Sequence, residues 1–417
     1  MAILIQKMTT RHHMITILLK PTIENFVFSG DKLSQLFKLK LMQNFKIIST
    51  VFVLCSSLVF SQNFKTSMTA KNGREFPKID AKGKAEFKVY FPEAKSVVLE
   101  GGDGMQNVKS TATKDQQGFW NISTSPLEIG FHYYWFNVDG KRTNDPNTEL
   151  YFGYGQPTSG IEIYSGEDFF FKKDVKHGKI INDSLYSEIT EGKRNIKVYL
   201  PPSYGTKRFP VLYLYHGTGE DITGWEKQGY LANILDNLFA DKKAKEMIVV
   251  MDYGVALNPE EEKMPDDYPR TVLSSQNINK IIVNELIPYI QKKYKTNGDK
   301  AVAGLSRGSY QAMLIGANHP ELFSAIGSFS PVIYEGTELQ PFKHLPIGNL
   351  LKSKKKPFLF LGIGTKENQR FLDYNNILTC YFDQNKYPYV QYKSAGTYHE
   401  WLTWRRCLYE FTQKIFR

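Results

Sequence analysis

Between residues 84 and 165 the chain alternates hydrophobic and polar positions in short segments separated by turn signals. The clearest segments read KAEFKVYFP, SVVLEGG, GFWNISTSP, FHYYWFNVDGKR and SGIEIYS. Alternation with a period of two places one face of each strand against a core, and strands at this spacing are typical of a small antiparallel sandwich. The pattern predicts a β-sandwich domain over residues 62–170, in which Trp120 and Trp135 are core residues rather than platforms for sugars.

A different pattern begins near residue 171, where two paired strands are followed by buried strands that alternate with helical stretches. The buried segments read FPVLYLYHG, EMIVVMD, AVAG, AIGSFSP, PFLFLGI and YVQYKSA. Residues 275–294 repeat isoleucine and leucine with the period of a helix. This order predicts a second domain over residues 171–417, with a mostly parallel sheet and helices on both faces.

One turn of the second domain carries a candidate nucleophile. Gly304-Leu305-Ser306-Arg307-Gly308 follows a short buried strand and opens a helix. This G-x-S-x-G spacing is that of a nucleophile elbow, in which a side chain at either flanking glycine would collide with neighbouring backbone. A plain glycine-serine loop would have the same letters, so the interpretation depends on finding an acid and a base.

A reactive serine needs a general base and an orienting acid, and in this type of sheet they follow the serine in the order acid, then histidine. His399 is the preferred base because it lies after the last predicted strand and before the last helix. Glu367 is the preferred acid, since it follows the strand PFLFLGI at its carboxyl end. Asp373, on the next helix, is the fallback.

The oxyanion of an ester intermediate needs two backbone donors. We expect them to be the amide of Arg307 and the amide of Thr218, which lies in the loop HGTG at 216–219. His216 is expected to brace that loop rather than to act as a base. Trp225 and Trp401 are predicted to be substrate-binding walls, with packing of the final helix as the alternative role of Trp401.

Several ordered motifs make the region from about 171 to 417 similar to the esterase-D and feruloyl-esterase group, which includes carbohydrate esterase family one. The motifs read YLYHGTGEDITGW, NELIPYIQKKY, AGLSRGSYQAM, HPELFSAIGSFSP, LGIGTKEN and HEWLTWRRCLYEF. The stretch GFWNISTSPLEIGFHYYWFNVDGKRTNDPNT resembles the early-set, immunoglobulin-like domains that precede some esterases and are related to glycogen-binding modules. The resemblance implies an α/β-hydrolase fold preceded by an immunoglobulin-like sandwich. It also implies a Ser306–Glu367–His399 triad, an acyl-enzyme, and activity on feruloyl or acetyl esters of xylan-type polysaccharides.

Three positions depart from that group. Ser309 stands where glycine is often found, Glu367 where aspartate is common, and Tyr398 where glycine frequently precedes the histidine. These departures bear on the identity of the substrate more than on the type of reaction. Two other functions stay open: hydrolysis of an enterochelin-type siderophore ester, and carbohydrate binding by a protein with a degenerate hydrolase domain.

The N-terminal stretch has the features of a secretory signal peptide at residues 42–61. A positive start, MQNFK, precedes the apolar run IISTVFVLCSSLVFS, and small or neutral residues lie just before Gln62. Residues 1–41 are interpreted as an upstream extension, and residues 1–61 are excluded from the fold. The pattern predicts a secreted or periplasmic protein, in which Cys380 and Cys407 either pair or remain two separate buried thiols.

Of the formal net charge of +11, +5 lies in residues 1–61 and the remaining +6 is spread in short lysine runs. It does not form a basic stripe with interleaved aromatic residues, so nucleic acid is not a predicted partner. No metal-ligand spacing and no phosphate loop occur in the sequence, so no cofactor is expected. The expected partner is an ester-bearing polysaccharide or oligosaccharide, with no membrane association after removal of the signal peptide. The sequence does not indicate an oligomeric state.

Overall fold

The computed structural model describes residues 63–265, 268–334 and 342–417. Residues 63–417 form one compact unit. The predicted signal peptide and the extension before it lie outside the described residues. Along the chain, two small antiparallel sheets come first and one large mixed sheet follows.

Ten short strands form the two small sheets. Their bounds are β1 Lys65–Thr66, β2 Lys78–Ile79, β3 Lys84–Tyr90, β4 Val97–Gly101, β5 Ser110–Lys114, β6 Phe119–Pro126, β7 Gly130–Val138, β8 Lys141–Thr143, β9 Leu150–Gly153 and β10 Gln156–Ile163. One sheet has the order β1-β2-β3-β6-β5, and the other has the order β4-β7-β10-β9 with β8 beside β7. Inward-facing residues such as Phe87 on β3 and Tyr134 on β7 pack into one shared core. This region is the β-rich N-terminal part that the alternating pattern predicts.

The two tryptophans of the sandwich have different environments. Trp120 lies in the core, as predicted. The prediction of a core position is wrong for Trp135, because its neighbours Tyr134 and Phe136 point into the core and the pleat turns Trp135 to the opposite face. There the guanidinium of Arg142 lies 3.8 Å from the centre of the indole ring.

Eight strands form the large sheet. Their bounds are β11 Lys179–Ser187, β12 Gly192–Leu200, β13 Phe209–Tyr215, β14 Ile248–Asp252, β15 Thr296–Leu305, β16 Ala325–Phe329, β17 Phe358–Gly364 and β18 Tyr389–Ser394. The order is β11-β12-β14-β13-β15-β16-β17-β18, antiparallel at the β11 end and parallel from β14 onwards. Every residue of β13 and β14 is buried, as expected for strands that are covered on both faces.

Helices cover both faces of the large sheet. Their bounds are α1 Gly224–Lys227, α2 Leu231–Ala240, α3 Tyr268–Ile281, α4 Ile287–Lys293, α5 Arg307–Asn318, α6 Gly348–Lys352, α7 Gln369–Gln384 and α8 Trp401–Thr412. A single 3₁₀ turn covers Glu261–Lys263, and a π-helical turn at Ile282–Leu286 joins α3 to α4 within the predicted 275–294 helix. The α3–α5 side packs into one hydrophobic cluster, and α2 and α8 pack into another. This architecture confirms the predicted α/β-hydrolase fold.

The sandwich packs directly against the large sheet and its last helix. Phe131 and Tyr151 of the sandwich belong to the same hydrophobic cluster as α2 and α8. Arg405 on α8 donates to both carboxylate oxygens of Glu162 on β10, at 2.9 and 2.8 Å, and both side chains are buried. The predicted domain boundary at 170/171 falls between β10 and β11, beside the buried Phe170, and it stays a prediction.

Both cysteines of the described region are free thiols. Cys380 is exposed on α7, whereas Cys407 is buried on α8. The expected alternatives, a disulfide or two buried thiols, therefore do not describe this pair. Burial raises the pKa of the Cys407 thiol well above its usual value.

No helix among the described residues has the length and apolar character needed to cross a bilayer.

Candidate active site

Ser306 lies at the junction of β15 and α5 in a conformation that residues other than glycine rarely adopt. Its φ is +52° and its ψ is −120°. A Cβ at Gly304 would lie 2.3 Å from the carbonyl oxygen of Gly308, and a Cβ at Gly308 would lie 2.7 Å from the carbonyl oxygens of Tyr215 and His216. Both glycines are therefore required for the tight turn that presents Ser306 at the carboxyl end of the parallel strands.

The structure brings Ser306, His399 and Glu367 into one hydrogen-bonded line. The Oγ of Ser306 lies 3.0 Å from Nε2 of His399, and Nδ1 of His399 lies 2.7 Å from Oε2 of Glu367. Glu367 follows β17 and His399 follows β18, so the two side chains come from adjacent strand ends. In this geometry the imidazole can accept the serine proton while the carboxylate holds the other ring N–H.

The carboxylate of Glu367 is fixed from its other side. Its Oε1 accepts from the hydroxyl of Ser330 at 2.6 Å and from the backbone N–H of Gly364 at 2.9 Å. The oxygen of Ser330 accepts in turn from Nε1 of Trp404 at 2.9 Å. These donors aim the remaining oxygen at His399 and compensate for burial of the acid.

His399 is also held by stacking. The ring of Phe371 lies parallel to the imidazole, with centroids 3.8 Å apart and an interplanar angle of 9°. Trp404 meets the imidazole edge-on at 5.2 Å. The fallback acid, Asp373, is exposed on α7 and accepts from Gln369 instead.

The loop of residues 216–220, called the oxyanion loop below, passes beside the serine. A Cβ at Gly217 would lie 3.4 Å from the Cβ of Ser306, and Thr218 lines the same cavity as Ser306. Arg307 is the first residue of α5, and its Nη2 donates to the carbonyl of Gly217 at 3.1 Å. The structure therefore places both predicted oxyanion residues, Thr218 and Arg307, beside the candidate nucleophile.

His216 has the bracing position that the sequence suggests. Its Nδ1 lies 2.9 Å from the carbonyl of Gly217, and its Nε2 accepts from the N–H of Gly254 at 2.9 Å. Burial, together with the nearby charge of Arg307, lowers the pKa of His216 to about 3. The neutral imidazole joins the oxyanion loop to the loop that follows β14.

A cavity of about 310 Å³ opens at Ser306 and His399. Its size lies at the lower end of the range for small-molecule sites. The walls are mainly aromatic: Phe131, Tyr133, Tyr154, Tyr334, Phe371, Tyr374, Trp401 and Trp404. The polar lining includes Asp103, Thr218, Glu220, Arg370 and Glu400.

The two predicted tryptophan walls differ. Trp401 lines the cavity, and its Nε1 donates to the hydroxyl of Tyr133 at 3.2 Å. It is also fully buried and packs the start of the final helix, and its role in substrate binding stays a prediction. Trp225 is not among the residues that line this cavity: it donates to the carbonyl of Tyr215 and packs edge-to-face behind Trp401 at 5.3 Å.

The sandwich supplies a part of the cavity that the sequence did not predict. Asp103, Phe131, Tyr133 and Tyr154 all come from the β-rich region. A signal was present in β7, which reads GFHYYWFNV and carries large residues on both faces. Since a half-exposed strand usually has one polar face, this pattern indicates that both faces of β7 are covered.

Two buried carboxyl groups next to the cavity were also missed. Burial raises the pKa of Glu220 to about 8, against the opposing effect of hydrogen bonds from Gly217 and Tyr133. Burial likewise raises the pKa of Glu400 to about 8, although backbone N–H groups at the start of α8 favour its charged form. No group of three or more His, Cys, Asp or Glu suited to a metal ion occurs among the residues that the structure describes.

The sequence matches the family described as "Putative esterase" over residues 187–413. A curated endo-1,4-β-xylanase/feruloyl esterase of Xylanibacter ruminicola is 36% identical over 371 residues, which are 85% of this chain and 48% of that protein. The chain thus spans about half the length of that relative.

Solved structures show the same fold. A ferulic acid esterase of carbohydrate esterase family one from Anaeromyces mucronatus, in complex with ferulic acid, is 22% identical with a TM-score of 0.53, covering 60% of this chain and 94% of that one. The enterobactin esterase of Shigella flexneri is 16% identical with a TM-score of 0.56, covering 79% of this chain and 92% of that one. Because the family match extends over more than half of the residues, the chain belongs to that esterase family.

Proposed function

We propose that the chain is a serine carboxylic ester hydrolase that removes hydroxycinnamoyl groups, such as ferulate, from polysaccharide or oligosaccharide esters. The observation that carries the proposal is the line Ser306–His399–Glu367, with contacts of 3.0 and 2.7 Å, at the end of an aromatic cavity. Serine hydroxyls are weak nucleophiles unless an oriented base accepts their proton, and the proposal assigns that role to His399.

In the proposed reaction, Oγ of Ser306 attacks the ester carbonyl while Nε2 of His399 takes the hydroxyl proton. The amides of Thr218 and Arg307 stabilise the oxyanion, and Glu367 stabilises the imidazolium. Collapse of the intermediate breaks the bond to the sugar oxygen, which leaves with the proton from His399. Water then attacks the acyl-enzyme with His399 as the base, and the free acid and the serine hydroxyl are regenerated.

The cavity supports an aromatic acyl group. Its volume of about 310 Å³ is much larger than an acetyl group, and eight aromatic residues form its walls. Aromatic rings pack favourably on one another at centroid distances of about 4.5–7 Å. The relative named a xylanase/feruloyl esterase and the structural neighbour with bound ferulic acid add support.

The test is an ester panel with methyl ferulate, a nitrophenyl acetate, feruloylated xylan oligosaccharides and a catecholate trilactone. We expect the highest kcat/KM on the feruloyl esters. Ser306→Ala should lower turnover by at least about 10³-fold, because removal of the nucleophile leaves only binding and the oxyanion donors. The variant is first shown to have the parental melting temperature. Absence of turnover on every ester would contradict the proposal.

A siderophore esterase is the second candidate. The match to the enterobactin esterase covers 79% of this chain, more than the 60% covered by the ferulic acid esterase. At 16% identity, the similarity to the enterobactin esterase shows a shared fold and not a shared substrate. Preferential hydrolysis of the catecholate trilactone in the same panel would favour the second candidate. The complete Ser306–His399–Glu367 line argues against a degenerate, purely carbohydrate-binding domain.

We also propose that the protein is exported, on the basis of the signal-peptide pattern at residues 42–61. N-terminal sequencing of the protein recovered from a cell envelope or culture medium tests this, with Gln62 expected as the first residue. Retention of an uncleaved chain inside the cells would contradict it.

A further inference from the structure

We propose that the sandwich holds the oxyanion loop in its catalytic position, and that Tyr133 on β7 is a positioning residue for Thr218. The inference rests on the proposed function for its catalytic meaning. Two independent contacts between the sandwich and the oxyanion loop carry it, one through backbone atoms and one through side chains.

The first contact is made by the tip of the β9–β10 hairpin. The backbone N–H of Gly155 donates to the carbonyl of Gly219 at 2.8 Å. Gly219 has a φ of +73°, and a Cβ on it would lie 3.3 Å from Cα of Tyr154. The two backbones therefore touch, and the residue after Thr218 is attached to the sandwich rather than to the large sheet.

The second contact runs through a buried carboxyl group. The hydroxyl of Tyr133 lies 3.2 Å from Oε1 of Glu220, and it accepts from Nε2 of Gln228 at 2.7 Å. The other oxygen of Glu220 accepts from the N–H of Gly217 at 3.3 Å. Tyr133 is thus connected through Glu220 to the residue that precedes Thr218.

Thr218 consequently lies between two held neighbours. In the hydrolase part, His216 and Arg307 hold the carbonyl of Gly217, and Tyr334 hydrogen-bonds the side chain of Thr218. The sandwich adds the bond from Gly155 to the carbonyl of Gly219, and its Tyr133 holds Glu220, whose other oxygen accepts from the N–H of Gly217. An oxyanion donor must lie within about 2.7–3.1 Å of the developing charge, and a displacement of about 1 Å can cost roughly 10²-fold in rate. Holding both neighbours of Thr218 fixes that distance before the substrate arrives.

The experiment compares Tyr133→Phe with Tyr134→Phe, measured on methyl ferulate with the full chain. Tyr134 is a matched control because it is the next residue on β7, points into the sandwich core and donates to Asp145 at 2.7 Å. We expect Tyr133→Phe to lower kcat about tenfold with KM changed less than about twofold, since the effect is on transition-state stabilisation. Tyr134→Phe should lower the melting temperature and leave kcat unchanged.

A second measurement does not require ester turnover. Hydrogen exchange of the amides at 217–220 should become at least about tenfold faster in Tyr133→Phe and should not change in Tyr134→Phe. Unchanged exchange in Tyr133→Phe would overturn the inference even if the protein is an active esterase. Faster exchange in a protein that hydrolyses no ester would support the contact while refuting the proposed function. A rise in KM at constant kcat would assign Tyr133 to substrate binding and overturn the positioning role.

Discussion

The buried carboxyl group of Glu220 makes the stability of the protein depend on pH in a specific window. Burial raises the pKa of Glu220 to about 8, whereas the ordinary value for glutamate is 4.5. The folded state therefore binds the proton more tightly than the unfolded state. The stabilisation is fully present below pH 4.5 and is lost as the pH rises through 8.

The expected magnitude follows from the difference in bound protons. Between about pH 6.5 and about pH 8 the unfolded glutamate stays ionised, while the folded one goes from almost fully protonated to half protonated. Integration over this window gives a loss of about 2 kcal/mol in the free energy of unfolding. His216, whose pKa is lowered to about 3, changes stability in the opposite direction, but that change is largely complete above about pH 6.5.

The assay is urea unfolding followed by tryptophan fluorescence at several pH values in this window, for the parent, Glu220→Gln and Glu188→Gln. Glu188 is an exposed glutamate and serves as the matched control. The free energy of unfolding of the parent, relative to Glu220→Gln, should fall by about 2 kcal/mol from about pH 6.5 to about pH 8. A relative value that stays level or rises would refute the reasoning, and so would an equal effect of Glu188→Gln.

Three further substitutions test other parts of the structure. Arg405→Met leaves the carboxylate of Glu162 buried without its partner, so urea unfolding should show a loss of about 3–5 kcal/mol; a loss below about 1 kcal/mol would argue against the pair. Gly308→Ala places a methyl group 2.7 Å from two backbone carbonyls, and calorimetry should show a lower melting temperature together with reduced kcat, whereas parental values would contradict the steric argument. Ser330→Ala removes a charge-assisted hydrogen bond of 2.6 Å to Glu367 and the acceptor of Nε1 of Trp404. Steady-state kinetics should show kcat reduced about tenfold, together with a lower melting temperature. A parental kcat would show that the remaining donor suffices.

The elbow and its partners could be identified from the sequence because their requirements are local. Gly304 and Gly308 are needed by short-range sterics, and these act within one strand-to-helix turn. Glu367 and His399 each follow a strand directly, and adjacent parallel strands end at the same edge of the sheet. Chain order and strand ends therefore carry enough information to bring Ser306, Glu367 and His399 together.

Local sequence does not determine which of two buried aromatic residues lies at the cavity and which lies behind it. Trp225 and Trp401 both lie near helix starts that follow strands. The difference between them arises from packing, since Trp401 meets Tyr133 of the sandwich and thereby covers Trp225. A hydrophobic pattern reports that both are buried, but it does not report which one faces the cavity.

The contribution of the sandwich to the cavity is not predictable from the sequence for a related reason. Tyr133 meets Glu220 across 87 positions of the chain. Which face of β7 docks on the large sheet depends on how two domains come together. Trp135 illustrates the same limit, because its alternation with Tyr134 and Phe136 fixes its face but not what covers it. A strand with large residues on both faces indicates that another element covers its second face, but it does not identify that element.

The shared wall of the cavity has a consequence for modular evolution and for protein engineering. Phe131, Tyr133 and Tyr154 belong to the sandwich yet line the cavity at Ser306. A chimera joined between β10 and β11 would retain Ser306 and its partners but would exchange one wall of the cavity. Replacing the sandwich would then change both substrate specificity and turnover. Recombination or directed evolution should therefore treat the sandwich and the hydrolase as one heritable unit, with compensating changes sought on both sides of the junction.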